Sequence, residues 1–136
     1  MAEEKLTYKP HVVVRKKGDL FVLTKAKDLA KYIITVTEKS PKKFRFTLVT
    51  RIQNYILDVL EHIHLANTAE VGSDERMSHQ KEAERKLQLL DTFSQLASEQ
   101  ECILFKQYEF ISKETADCLL YLKKWVASDK KRVLPE

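Results

Sequence analysis

The sequence predicts an all-α, antiparallel up-down four-helix bundle, and three observations carry that prediction. Only two glycines and three prolines occur in 136 residues, too few turn formers for a many-stranded β fold. Hydrophobic residues make up 43% of the chain and charged residues 32%, a balance that builds a packed core and argues against a disordered polymer. Apolar residues also recur at helical spacing in four successive segments separated by short polar breaks. One domain fits this length. The expected division is an N-terminal extension and hairpin over 1–23, the bundle over 24–132 and a tail over 133–136.

The extension opens polar and then gives two short β-like pieces, 11–14 and 20–23, around a turn at 15–19 that contains Gly18 and Asp19. This reads as a hairpin, and a lone hairpin must dock on something to be stable. The first helix follows from Thr24, with Ala26, Leu29, Ala30, Ile33, Ile34 and Thr37 on one face. It stops at Ser40-Pro41, because proline disfavours helical geometry in the residue before it. Ser40 can cap a second helix with Pro41 in its first turn. The stripe Leu48, Val49, Ile52, Ile56, Val59, Leu60, Ile63 carries that helix to about Asn67.

A small polar connection, 68–72, leads to Ser73 or Asp74 as the cap of a third helix, whose inward face is Ala83, Leu87, Leu90, Ser94 and Ala97. After a break near 101–104, Tyr108, Ile111, Thr115, Leu119, Leu122 and Val126 mark the fourth. The last two helices carry more apolar surface than one stripe requires: Leu89, Phe93 and Leu96, and likewise Cys118, Tyr121 and Trp125, form second stripes. Either these pack on one another or under the N-terminal hairpin, or they are a subunit interface, where aromatic residues are enriched. On the second reading Leu89, Phe93, Leu96, Tyr121 and Trp125 are the oligomer contacts.

No apolar run approaches the roughly 20 residues that cross a bilayer, and the first ten residues lack the apolar core of a signal peptide, so a cytosolic location is expected. Cys102 and Cys118 are too few for a disulfide framework and read as reduced, mostly buried thiols. The phosphate-loop, dinucleotide and nucleophile-elbow motifs are all missing. Glu61-x-x-His64 has the spacing of a di-iron half-site, but both residues lie well off the apolar stripe and should face outward. His11 and His79 have no partner at zinc spacing. The expectation is therefore a protein with no catalytic residues, no metal and no cofactor.

Charge is unevenly spread. Between 52 and 101 there are ten acidic and four basic residues, whereas 39–51 holds five basic and none acidic: Lys39, Lys42, Lys43, Arg45 and Arg51. Cations at a helix N-terminus oppose the helix dipole, and the exposed amides there also favour phosphate oxygens. An anionic partner relieves that conflict, and Phe44 can add stacking if the partner is RNA; the bland alternative is a solvated corner. A second group, Lys123, Lys124, Lys130, Lys131 and Arg132, falls at the opposite end of the bundle, where a long polyanion can reach it or where it simply complements the C-terminal dipole.

Several stretches together, Gly18-Asp-Leu-Phe-Val-Leu-Thr-Lys25, Glu38-Lys-Ser-Pro-Lys-Lys-Phe-Arg45, Leu65-Ala-Asn67, Cys102-Ile103, Lys106-Gln-Tyr108 and Trp125, resemble the accessory variability determinant proteins of diversity-generating retroelements. The resemblance spans roughly 18–132. That family is itself similar to the four-helix-bundle proteins of intervening sequences in bacterial large-subunit ribosomal RNA genes. Glu101 stands where relatives often have a turn glycine. The resemblance implies a bacterial or phage-encoded five-subunit barrel of bundles that binds the element's reverse transcriptase and its template RNA, supporting mutagenic cDNA synthesis without performing it. It offers Lys42, Lys43 and Arg45 as RNA or polymerase contacts. The alternative is an interaction bundle associated with ribosomal RNA and lacking a polymerase partner.

Overall fold

The computed structural model describes residues 20–133. Four α-helices run up and down in sequence: α1 (Phe21–Thr37), α2 (Thr50–Thr68), α3 (Asp74–Glu99) and α4 (Phe105–Val133). Each helix packs on its chain neighbours, and α4 closes the ring by packing on α1. No strand occurs among the described residues.

The core is the inward stripes of the four helices. Val22, Ala26, Leu29 and Ile33 of α1 meet Ile52, Ile56, Val59 and Ile63 of α2, Ala83, Leu87 and Leu90 of α3, and Ile111, Cys118 and Leu122 of α4, all buried. Each fully buried Leu or Ile contributes about 1.5–3 kcal/mol relative to an exposed one. Across the ring, Lys25 of α1 pairs with Glu114 of α4 at 3.1 Å.

Three local expectations are corrected. Residues 21–23, read as part of a hairpin strand, are the first turn of α1, because Val22 extends the Ala26–Leu29–Ile33 stripe by one turn and is 2% exposed. The other hairpin piece, 11–14, and the turn at 15–19 lie outside the described residues. Ile34, assigned to the inward face, is 40% exposed, one residue round the helix from Ile33. Ser40 does not cap the second helix: its hydroxyl donates to the Cys102 carbonyl at 2.7 Å, tying the α1–α2 corner to the α3–α4 connection.

The entry to α2 is itself irregular. A 3₁₀ turn at Lys42–Phe44 passes into a π turn at Arg45–Val49 before regular α geometry starts at Thr50. The Thr50 hydroxyl donates to the Arg45 carbonyl, five residues back, within this wider turn. Thr37, at the end of α1, donates to Ile33 O at 2.7 Å and accepts from Gln53 of α2 at 2.9 Å, so the corner is braced from both sides.

The other connections follow known capping chemistry. Ser73 caps α3 by accepting from the Arg76 amide at 3.1 Å, with Asp74 and Glu75 in the first turn where the dipole favours them. Gly72 precedes it at φ +88°, and a Cβ there would stand 2.8 Å from Val133 of α4. At the far end α3 closes with Glu101 at φ 61°, Cys102 N bonding Ala97 O at 2.8 Å and Glu101 N bonding Ser98 O at 3.1 Å. This is the paired six-to-one and five-to-two bonding that usually places glycine where Glu101 stands.

Candidate nucleic-acid interface

The irregular entry to α2 makes a cationic corner. Lys39, Lys42, Lys43 and Arg45 are all exposed, and among the described residues none of them has a carboxylate within ion-pair distance. A shallow depression of about 330 Å³ opens among Glu38, Ser40, Pro41, Lys42, Arg45 and Gln53. Four uncompensated cations within seven residues raise the local potential for any polyanion. The mixed 3₁₀ and π winding lets consecutive residues fan outward where a regular α-helix would turn part of the set inward.

Arg51 has a different role. Its guanidinium lies 5.9 Å from the Tyr55 ring and 5.6 Å from the Phe93 ring, and Nη1 donates to the Tyr55 hydroxyl at 3.3 Å. It is exposed but held across α2 and α3, fixed rather than free-swinging.

The aromatic residue at this corner differs from the one expected. Phe44 is half-buried, packed on the core, with Lys43 Nζ 5.1 Å from its ring. Phe46 is 86% exposed and lines a second depression of about 420 Å³ with Leu48, Arg51, Asn54 and Phe93. Nothing in the spacing of Phe44 and Phe46 separates them; the π turn decides which ring faces water.

The second basic group lies toward the opposite end of the bundle, about 27–40 Å along α4 from its start. Lys123, Lys124, Lys130, Lys131 and Arg132 are exposed there. Lys124 lies 5.5 Å from the Tyr121 ring and Arg132 is 3.9 Å from Asp129. Lys130, Lys131 and Arg132 occupy the last turn of α4, which complements its dipole.

That end is organised by a buried polar cluster with no signal in the sequence. Arg76 and Asp129 are 4% and 7% exposed. Arg76 donates to both carboxylate oxygens of Asp129, Gln80 adds a bond at 2.8 Å, and the Arg76 guanidinium lies 5.0 Å from the Trp125 ring. Burial pushes the Asp129 carboxyl up, but hydrogen bonds from Arg76 and Gln80 and the charges of Arg76 and Arg132 outweigh it and hold the group below the usual carboxylate range.

The residues expected at a subunit interface are partly engaged within the chain. Tyr121 meets Phe21 edge-on at 4.5 Å, Phe93 lies 5.3 Å from Tyr55, and Leu89, Phe93, Tyr121 and Trp125 all pack against the core. Leu96 is 40% exposed. The segment 21–23 thus covers part of the α4 stripe as a helix rather than as a hairpin.

Glu61 and His64 are exposed, as their offset from the α2 stripe requires. Among the described residues no group of three or more His, Cys, Asp or Glu could hold a metal ion. His79 does have a partner, on the neighbouring helix: its Nδ1 is 2.9 Å from Nδ1 of His62. One of the two nitrogens must carry the proton and the other accept it. Cys102 and Cys118 are free and buried, and burial pushes the Cys118 thiol up to about 12. No helix among the described residues is long and apolar enough to cross a membrane.

These features define a small antiparallel four-helix bundle with cations exposed at both ends. No protein-family model matches the chain, and no curated protein sequence does. Among solved structures it is similar to a protein of unknown function from the S23 ribosomal protein family of Bacteroides thetaiotaomicron, at a TM-score of 0.71 and 18% identity over 81% of this chain and 98% of that one. At that identity the likeness establishes the fold, which is compatible with the ribosomal-RNA-associated bundles named above.

Proposed function

We propose that this chain is a non-catalytic, nucleic-acid-binding accessory subunit of a diversity-generating retroelement, holding template RNA for a partner reverse transcriptase. One observation carries the RNA half of the reading: Lys39, Lys42, Lys43 and Arg45 stand exposed and unpaired on an irregular helix entry, beside the 86% exposed ring of Phe46. Phosphate contacts from clustered cations and stacking on an exposed ring are the two terms that bind single-stranded and looped RNA. The polymerase half rests on the resemblance of the Ser40–Arg45 motif and its companions to the accessory variability determinant family. Assembly into a five-subunit ring belongs to the same proposal, with Leu96 and the flanks of Leu89, Phe93, Tyr121 and Trp125 as the sides that meet.

A second reading, a ribosomal-RNA-associated bundle with no polymerase partner, is favoured by the fold of the S23-family protein. It shares the same cationic corner. Light scattering of the purified protein, alone and with a structured RNA at low and high salt, tests what the two readings share: a homo-oligomer that gains RNA mass only at low salt is expected, and a monomer indifferent to RNA removes both. The first reading predicts a reverse transcriptase gene beside this one, whose product the protein retains in a pull-down; the second predicts neither, and that separates them.

A further inference from the structure

At the end of the bundle away from the cationic corner, α3 and α4 leave a groove of about 440 Å³. Met77, Leu122 and Val126 supply its apolar lining, and Lys81, Glu84, Lys123 and Lys130 its charged edges. Met77 is 46% exposed, a large apolar side chain left half in water. A narrow cleft shares Met77, Val126 and Lys130 with it and continues to Gly72 and Val133 at the tip of the bundle, where Val133 is 52% exposed.

The charges at the edges are not equivalent. Lys81 is paired with Glu84 at 3.8 Å. Lys123 and Lys130 have no carboxylate within ion-pair distance among the described residues. They are seven residues apart on α4, so they share one face and stand about 10 Å apart along the helix.

We infer that this groove docks an acidic amphipathic helix of another polypeptide. Two packed helices present a channel that accepts a third, read through apolar anchors one or two turns apart. Methionine suits such a surface because its flexible, polarisable side chain repacks against different partners. Lys123 and Lys130 match carboxylates one heptad apart on the incoming helix, the geometry by which flanking charges set partner and orientation in coiled coils. RNA fits this groove less well. Its lining is aliphatic, offering no exposed ring for a base to stack on, and phosphate contacts alone leave Met77 in water. This inference does not rest on the RNA reading, which concerns the other end of the molecule.

The test uses the full chain and two synthetic peptides of about 18 residues, long enough for several helical turns. Both carry the same leucine stripe; one has glutamates and the other lysines at the flanking heptad positions. Binding is followed by fluorescence anisotropy. The glutamate peptide should bind at least about tenfold tighter, and Lys123→Glu with Lys130→Glu should reverse that order while the protein keeps its helicity. Equal binding of the two peptides, no binding of either, or an unchanged order in the double variant overturns the proposal. Displacement of the glutamate peptide by RNA from the wild-type protein, but not from a Lys42→Glu, Lys43→Glu variant, means that the corner couples to the groove and leaves the assignment intact. Displacement from both proteins makes the groove a nucleic-acid site and overturns it.

Discussion

Arg76 and Asp129, on different helices and 53 residues apart, form a two-pronged ion pair, Nε to Oδ2 at 2.7 Å and Nη2 to Oδ1 at 3.0 Å. The same guanidinium donates through Nη1 to the carbonyls of Ala66 and Ala69, both at 3.2 Å. Helix α2 has no basic residue in its own last turn, so carbonyls at its C-terminal end, Ala66 O already bonded by the Ala69 amide, are met by a cation from α3. One side chain therefore joins the ends of three helices.

Asp129→Asn should cost about 3 kcal/mol, because it leaves the Arg76 charge buried without its counter-charge. Urea unfolding at neutral pH checks this. Replacing both partners together, Arg76→Met with Asp129→Leu, should recover most of the loss, since the cost lies in the orphaned charge rather than in a large net gain from the pair.

Acid should erase the difference between wild type and Asp129→Asn. The Asp129 carboxyl is held below its ordinary value in the folded protein, so the unfolded chain binds the proton more readily. The pair's contribution is then complete above about pH 4 and is lost as pH falls through the lower folded value. Unfolding midpoints measured from pH 7 down to about pH 2 should converge only in the acid part of that range.

Glu101→Gly should stabilise the protein by about 0.5–1 kcal/mol, because glycine takes φ 61° without the steric conflict of a Cβ. Gly72→Ala should destabilise by more than about 1 kcal/mol, since it adds a Cβ at φ +88° and sets it 2.8 Å from Val133. Thermal unfolding of the two variants should move in opposite directions.

Both thiols should resist a small aromatic disulfide reagent in the folded state and react together after unfolding. Cys118 has no exposure and its thiol is pushed up to about 12, while Cys102 is 3% exposed and raised by burial. Release of the coloured thiolate, followed with and without urea, counts them.

Much of the bundle was legible because its signal is local. The inward face of α3, Ala83, Leu87, Leu90, Ser94 and Ala97, is buried throughout, since one uninterrupted α-helix keeps its phase from end to end. The entry to α2 was not, because a constant 100° per residue sets Phe44 and Phe46 at nearly the same angle from the stripe, and only the 3₁₀ turn followed by a π turn decides that Phe44 packs inward and Phe46 faces water. Arg76 and Asp129 leave no mark in the sequence for a further reason: a buried pair depends on the register between two helices, which no single helix records. The same holds for His62 and His79.

The cationic corner is tested most directly by the binding of a fluorescently labelled structured RNA to wild type and to the Lys42→Glu, Lys43→Glu double variant, measured at two salt concentrations. Both lysines are exposed and unpaired, so helicity and assembly should not change. Wild-type affinity should fall steeply with salt, and the variant should bind more than about tenfold more weakly at low salt and show a shallower salt dependence. Equal affinity of the two proteins, with the same salt slope, would contradict the account and move the RNA contact away from the α2 entry.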